Sequence, residues 1–343
     1  MSMLTRLHAV WGLSIALFGA GYSLAQEATP ISPDNAARVV LGKEVSKRVY
    51  RMVRGPKVGE LTLFDHAGGV EIVDDRNLDL IRLPAKNVKA LDFALSPDGK
   101  RQAWIEKGMV NYRVEEPATG KTFNLDVAEH GGGIAFSADG KWIAAGYTFW
   151  DPVAEGAGYS EMRVYDSAGK LVQTLDRTGA GALRAIFGPN GKVIAVGNRN
   201  YETQLFDIES GKLLHTLDKK QTHDIVFSPD GKTLAVAYVD GNIGLWNAEN
   251  GELLQMAASG CDETYSVDFN PKGDLLASSG RRGNVVLWDA AKLAKLKELE
   301  AQDWVIQVRF SSDGARLLSA GAMEGGARKE GEVMVWEVKE SGK

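Results

Sequence analysis

A single cysteine, Cys261, stands in the 343 residues, so the chain can form no internal disulfide and must be stabilised by packing. Histidine is also scarce: the five, at positions 8, 66, 130, 215 and 223, are scattered, and no His-Glu-x-x-His pair exists to hold zinc. One cysteine forbids a Cys-x-x-Cys-His haem attachment, and no Gly-x-Ser-x-Gly elbow is present. Gly231-Lys232-Thr233 ends like a phosphate loop, but the earlier glycine such a loop needs falls on Val226. Basic charge is not in excess either. The formal net charge is −5, which argues against general nucleic-acid binding, because phosphate contacts need clustered Lys and Arg. The sequence therefore gives no metal site, no cofactor motif and no catalytic constellation. Its carboxylates sit mostly in Asp-Gly and Glu-Ser-Gly turns, where they bond local backbone.

One uncharged apolar run, AVWGLSIALFGAGYSLA at 9–25, follows Arg6 and ends on the small residues Ser23 and Ala25. This pattern predicts a secretory signal peptide over 1–25, cleaved after Ala25; a retained membrane anchor is the alternative. No cysteine follows the run, so a lipoprotein signal is not supported. Residues 26–35 read as a linker. The expected location is periplasmic or extracellular, with no integral span after cleavage.

Glycine is abundant, 39 residues or about 11 % against the usual ~7 %. The glycines belong to a repeat. FSPDGKTLAVAYVDGNIGLWNAENGELL, 227–254, contains an aromatic before a Ser-Pro-Asp-Gly turn, two apolar runs split by Asp240-Gly241, and a turn at Asn250-Gly251. Related segments recur at Phe93, Phe136, Phe187, Phe269 and Phe310, with spacings from Phe93 onward of 43, 51, 40, 42 and 41 residues. A period near 40 marks a propeller-type repeat. Each unit reads as a four-stranded antiparallel meander, and Asp240-Gly241 predicts a hairpin turn of the primed kind. The middle strands are apolar on successive residues, as a sheet covered on both faces requires.

GLWN (244–247), VLWD (286–289) and MVWE (334–337) fall where the Trp-Asp dipeptide lies in WD-repeat β-propellers, with softer versions in FDIESGK (206–212) and VYDSAGK (164–170). Over residues 89–338 the chain resembles that family. The Gly-His pair that precedes each unit's first strand in the family is missing, which puts its buried His-centred hydrogen-bond network in doubt. The resemblance implies an all-β propeller over 36–343. Segments between residues 46 and 84 supply a degenerate first blade, making seven, and AARVVLGKEV (36–45) supplies the outer strand of the last blade, closing the ring. A six-bladed ring with an N-terminal extension is the alternative.

Two units are long. The excess lies between second and third strands, in YTFWDPVAEGAGYSE (147–161) and GAMEGGARKEGE (321–332). Long connections in a compact fold are often functional. The first carries Phe149, Trp150, Asp151, Glu155 and Tyr159, and the second Arg328 and Lys329. Arg281 and Arg282 occupy the corresponding connection of the neighbouring unit, and Trp304, just before a first strand, falls on the same rim. A mixed aromatic and charged patch of this kind suits a protein interface. The bland readings are aromatics folded onto their own blade and charges at solvated tips. The family's general role implies a non-catalytic platform that binds another protein or an envelope complex. Two rivals are a propeller enzyme or enzyme subunit using the central channel, marked by polar side chains converging there, and a carbohydrate or ligand binder using Trp150 and Tyr159 as stacking platforms.

Overall fold

The unit of construction is the turn. In Ser228-Pro229-Asp230-Gly231 the Ser228 hydroxyl donates to Asp230 Oδ1 at 2.6 Å and accepts the Thr233 N–H at 3.0 Å, while the Gly231 N–H donates to the Ser228 carbonyl at 2.8 Å. Gly231 has φ +72°, a conformation that costs other residues a steric penalty. The same bonds recur at Ser96, Ser137 and Ser311. Each turn also packs on its neighbour. A β carbon at Gly231 would lie 3.3 Å from Pro189 Cδ, one at Gly273 3.2 Å from Pro229 Cδ, and one at Gly314 3.2 Å from Pro271 Cδ. The proline of one turn thus covers the glycine of the next, and the turns form a ring of their own.

The computed structural model describes residues 28–45, 49–55, 57–65, 69–84, 90–106, 112–125, 130–149, 159–179, 183–198, 202–281, 284–301, 304–322 and 333–339. They form seven four-stranded antiparallel sheets. In order from the innermost strand outward, blade 1 is Val49–Arg54, Glu60–Asp65, Val70–Asp74 and Leu80–Arg82. Blade 2 is Ala90–Leu95, Gln102–Glu106, Arg113–Glu116 and Lys121–Asn124, and blade 3 is His130–Phe136, Trp142–Phe149, Tyr159–Asp166 and Leu171–Gly179. Blade 4 is Leu183–Phe187, Val193–Asn198, Thr203–Asp207 and Leu213–Asp218, and blade 5 is Thr222–Phe227, Thr233–Tyr238, Asn242–Asn247 and Leu253–Ala258. Blade 6 is Thr264–Phe269, Leu275–Gly280, Asn284–Asp289 and Ala294–Glu300. Blade 7 is Trp304–Phe310, Arg316–Ala322 and Val333–Val338, with Val39–Val45 outermost. Among the described residues no helix is long and apolar enough to cross a membrane.

The core lies between blades. Ala235, Ala237, Ile243 and Leu245 of blade 5 pack on Val267, Phe269, Leu276 and Trp288 of blade 6, and the other junctions repeat the scheme. A middle strand is therefore covered on both faces: every residue of Leu275–Gly280 is buried. Trp288 Nε1 donates to Ser278 Oγ and Trp336 Nε1 to Ser319 Oγ, both at 2.9 Å, while in blade 5 the acceptor for Trp246 is the Tyr238 hydroxyl. The tryptophan half of the family's buried network thus forms with no histidine. The residue after the tryptophan faces outward and organises the next turn: Asp289 Oδ1 accepts the Ala291 and Lys292 N–H groups, and Asn247 Oδ1 those of Glu249 and Asn250.

Closure joins the two ends of the described chain. Val39–Val45 pairs antiparallel with Val333–Val338. Ahead of it, the Ile31 N–H donates to the Gly314 carbonyl at 2.7 Å, and the Ile31 side chain is buried beside Phe310 and Trp336. Blade 7 then meets blade 1 where the Met52 N–H donates to Gln307 Oε1.

Two expectations need correction. In blade 2 the residue that precedes the turn is Leu95, paired with Gln102 as Phe227 is with Leu234; Phe93 lies two residues earlier, paired with Trp104. Strand side chains repeat every two residues, so Phe93 shares a face with Leu95, but the turn Ser96-Pro97-Asp98-Gly99 follows Leu95 directly. The turn at Asp240-Gly241 is not of the primed kind. Only Gly241 has positive φ there, and its N–H donates to the Tyr238 carbonyl at 3.2 Å, giving a three-residue connection that ends in a left-handed glycine.

Candidate functional site at the loop face and channel

In a meander, connections 1–2 and 3–4 lie on one side and connections 2–3 and blade-to-blade on the other. The Ser-Pro-Asp-Gly turns define the first, or turn face. The second, or loop face, carries Arg281 and Trp304 among the described site residues.

Inner strands arrive at the loop face with a bulge. Their pairing with the second strand shifts by one residue between Val49 and Arg51, Ala90 and Asp92, Gly131 and Gly133, Thr222 and Asp224, Thr264 and Ser266, and Val305 and Gln307. A bulge re-aims the side chain of its extra residue. In blades 5 and 6 that residue is His223 and Tyr265, whose rings meet edge-to-face at 5.0 Å. Trp304, opening the inner strand of blade 7, continues the arc with its ring 6.2 Å from Tyr265. Arg281 bridges backbone-to-backbone with Trp304, lays its guanidinium 5.1 Å from the indole centre, and pairs with Glu263 at 3.4 Å. Glu263 also reaches His223 Nε2 at 3.3 Å. Arg281 and Trp304, placed on one rim by sequence, are thus joined directly. His223, Glu263 and Tyr265 complete the cluster and were not singled out as site residues; the bulge, which aims them, leaves no local signature in sequence.

The other candidates are placed only in part. The 147–161 segment begins and ends as strand, extending the blade 3 hairpin to the pair Phe149–Tyr159, with Tyr159 also paired to Gly179. Of Phe149 and Tyr159 the backbone alone is described, and Trp150, Asp151, Glu155, Arg282, Arg328 and Lys329 lie outside the described residues.

The central channel holds what the sequence reading missed. The position just inside the bulge is occupied around the ring by Arg51, Asp92, Gly133, Arg184, Asp224, Ser266 and Gln307. Arg51 pairs with Asp92. Asp224, 2 % exposed at its side chain, is met by Arg184 at 3.1 Å and by Arg309 at 3.4 Å, and accepts from Ser266 Oγ at 2.7 Å. Four of these residues hold the next blade: Asp92 accepts the Ile134 N–H at 2.8 Å, Asp224 the Val267 N–H at 3.4 Å, Ser266 Oγ the Val308 N–H at 3.4 Å and Gln307 the Met52 N–H. Nearer the turn face, Asp268 accepts the Phe310 N–H at 2.7 Å and pairs with Arg54 at 2.6 Å. Burial opposes the charge on Asp224, but Arg184 and Arg309 outweigh it and hold its carboxyl below the usual range. At Asp268 burial wins over Arg54 and Arg309, and the carboxyl is raised. The turn-face mouth is a cavity of about 450 Å³ lined by Arg54, Asp268, Asp75, Ser312, Pro229 and Pro271. Burial raises the carboxyl of Asp75, against the opposing bonds from the Ser312 N–H and hydroxyl.

Polar side chains do converge in the channel, the feature by which the sequence reading marked its enzyme alternative. Asp92, Asp224 and Asp268 are each occupied by backbone N–H and guanidinium groups, and Asp75 by the N–H and hydroxyl of Ser312. Among the described residues no cluster of His, Cys, Asp and Glu is arranged to hold a metal ion.

The family model described as eukaryotic translation initiation factor eIF2A matches residues 175–280, about a third of the chain. The match spans blades 4 and 5 and the inner half of blade 6, and of the three Trp positions it includes Trp246 alone. No curated protein matches the chain. The matched segment and the seven four-stranded blades together support a propeller of the WD-repeat kind.

Proposed function

We propose that the protein is an exported, non-catalytic platform that binds another protein through its loop face. The observation that carries this reading is the arc His223–Tyr265–Trp304 with Arg281 stacked on it and Glu263 beneath. Aromatic and arginine side chains held together on a rigid rim are what interface hot spots use. The rim is preorganised by three inner strands, so binding orders little new chain. Export rests on the uncharged run at 9–25 and the small residues at its end. An exported platform would serve an envelope or secreted assembly. Trp150, Tyr159, Arg328 and Lys329 belong to the same proposed face by their place in connections 2–3.

The test is capture of partner from the native host with wild type and with the pair Trp304→Ala and Arg281→Ala. Recovery of the partner should fall at least about tenfold, the loss of one hot spot. The melting temperature should fall by no more than about 4 °C, since the cluster lies at the rim and not between blades. Unchanged recovery would sink the reading. The enzyme reading gains the convergent channel charges, but Asp92, Asp224 and Asp268 there are each committed to a guanidinium and the next blade's backbone. The carbohydrate reading rests on Trp150 and the Tyr159 side chain, which lie outside them.

A further inference from the structure

Guanidinium groups from opposite blades gather in the channel. Among the described residues, Arg51, Arg184 and Arg309 lie with the carboxylates Asp92 and Asp224, while Asp268 lies with Arg54 and near Arg309. Arg309 is consumed, and Arg51 in part, its buried Nε having no hydrogen-bond partner among the described residues. Arg309, 12 % exposed at its side chain, donates through Nη1 to the Val308 carbonyl at 2.7 Å and Ser266 Oγ at 3.0 Å besides its pairing with Asp224. Arg51 pairs with Asp92 and lies 5.4 Å from the centre of the Phe64 ring. Arg184 is different. Among the described residues its one ion pair is to Asp224 Oδ1, and 41 % of its side chain is exposed. It stands on the inner strand of blade 4, yet feels the charges of Arg51 on blade 1 and Arg309 on blade 7. Groups on blades so far apart can interact only across the channel.

Asp224 cannot satisfy Arg184 fully. It already accepts the Ser266 hydroxyl and the Ile225 and Val267 N–H groups, and shares its charge with Arg309. A planar guanidinium offers five donors in a fork that matches a carboxylate or phosphate. We propose that the channel binds a small oxyanion, a phosphate or carboxylate, held by Arg184 at the centre of the Arg51–Arg184–Arg309 group. The anion completes the donor set of Arg184. The Arg281–Trp304 rim is a separate feature, and the channel site stands or falls without it. The same chemistry is carried by a free phosphate or carboxylate and by the carboxylates of an acidic segment on a bound protein.

Thermal unfolding of the purified chain, at constant ionic strength set with chloride, tests this with two probes: inorganic phosphate and a hexaglutamate peptide. A ligand that binds only the folded state raises the melting temperature with its concentration. Phosphate should raise it in wild type, and the concentration needed should rise at least about tenfold in Arg184→Gln, a loss the size of one charge-assisted contact. Arg184→Lys, which keeps the charge without the fork, should fall between. The readout is the ligand-dependent shift, so a variant of lower intrinsic stability still reports. A shift with hexaglutamate alone, lost in Arg184→Gln, assigns the oxyanion to a partner's acidic segment. No shift with either probe, or equal shifts in wild type and Arg184→Gln, overturns the site.

Discussion

Trp288 shows how a single residue serves two levels of the fold. Its indole fills the space between blades while its N–H reaches Ser278, so Trp288→Phe keeps most of the packing and strands a buried hydroxyl. An unsatisfied buried polar group costs about 1–3 kcal/mol, and urea unfolding should show a loss in that range. A change under about 0.3 kcal/mol would mean that water or backbone replaces the indole. Gly231→Ala tests the turn: it meets both the positive φ and the Pro189 contact, and should destabilise by about 1–2 kcal/mol. These roles were readable in sequence, because tryptophan, Asp-Gly and Ser-Pro report local geometry. The channel charges were not. Arg184, Asp224 and Gln307 occupy one equivalent position with three different residue types, and only the register against the second strand makes the equivalence visible.

At the scale of the element, the strand Val39–Val45 is the decisive piece. Without it, Val333–Val338 becomes an exposed edge, and unpaired edges recruit other chains. Deleting residues 36–45 also removes the buried Ala36 and Val39. Each buried valine contributes roughly 1.5–3 kcal/mol, so the melting temperature should fall by more than about 5 °C and the protein should self-associate on size-exclusion chromatography. An unchanged melting temperature would show that the ring holds without the closing strand. The closure was legible from the missing fourth strand of the last unit. The three-stranded extension of blade 3 was legible only as surplus length, because an insertion's sequence does not state whether its flanks continue the sheet.

For the whole molecule, the repeated turns make stability depend on acid. The Ser96 and Ser228 hydroxyls, with the Lys100 and Lys232 N–H groups, hold Asp98 and Asp230 below their ordinary value of 3.8. A carboxyl lowered by folding contributes stability above its unfolded pKa and loses it as pH falls through the folded value. Asp75, Asp218 and Asp268 are raised by burial and act in the opposite sense, favouring the fold as they protonate. The two sets should leave a plateau near neutrality and a decline that begins below about pH 4, with Asp230→Asn flattening the decline. Denaturant unfolding across pH 2 to 7 checks this, in steps of roughly one pH unit around the reference carboxylate values. A midpoint that holds constant through that range would contradict it.

The loop face, at the Arg281–Trp304 rim, is proposed as the surface on which another protein binds. The most direct test is crosslinking in the native host followed by mild purification and mass spectrometry of the crosslinked peptides. The expected result is one partner in stoichiometric amount, with crosslinks to lysines and carboxylates of the loop face, Glu263 and the 147–161 and 321–332 connections among them. Recovery of the propeller alone, or crosslinks confined to the Ser-Pro-Asp-Gly turns of the opposite face, would contradict it.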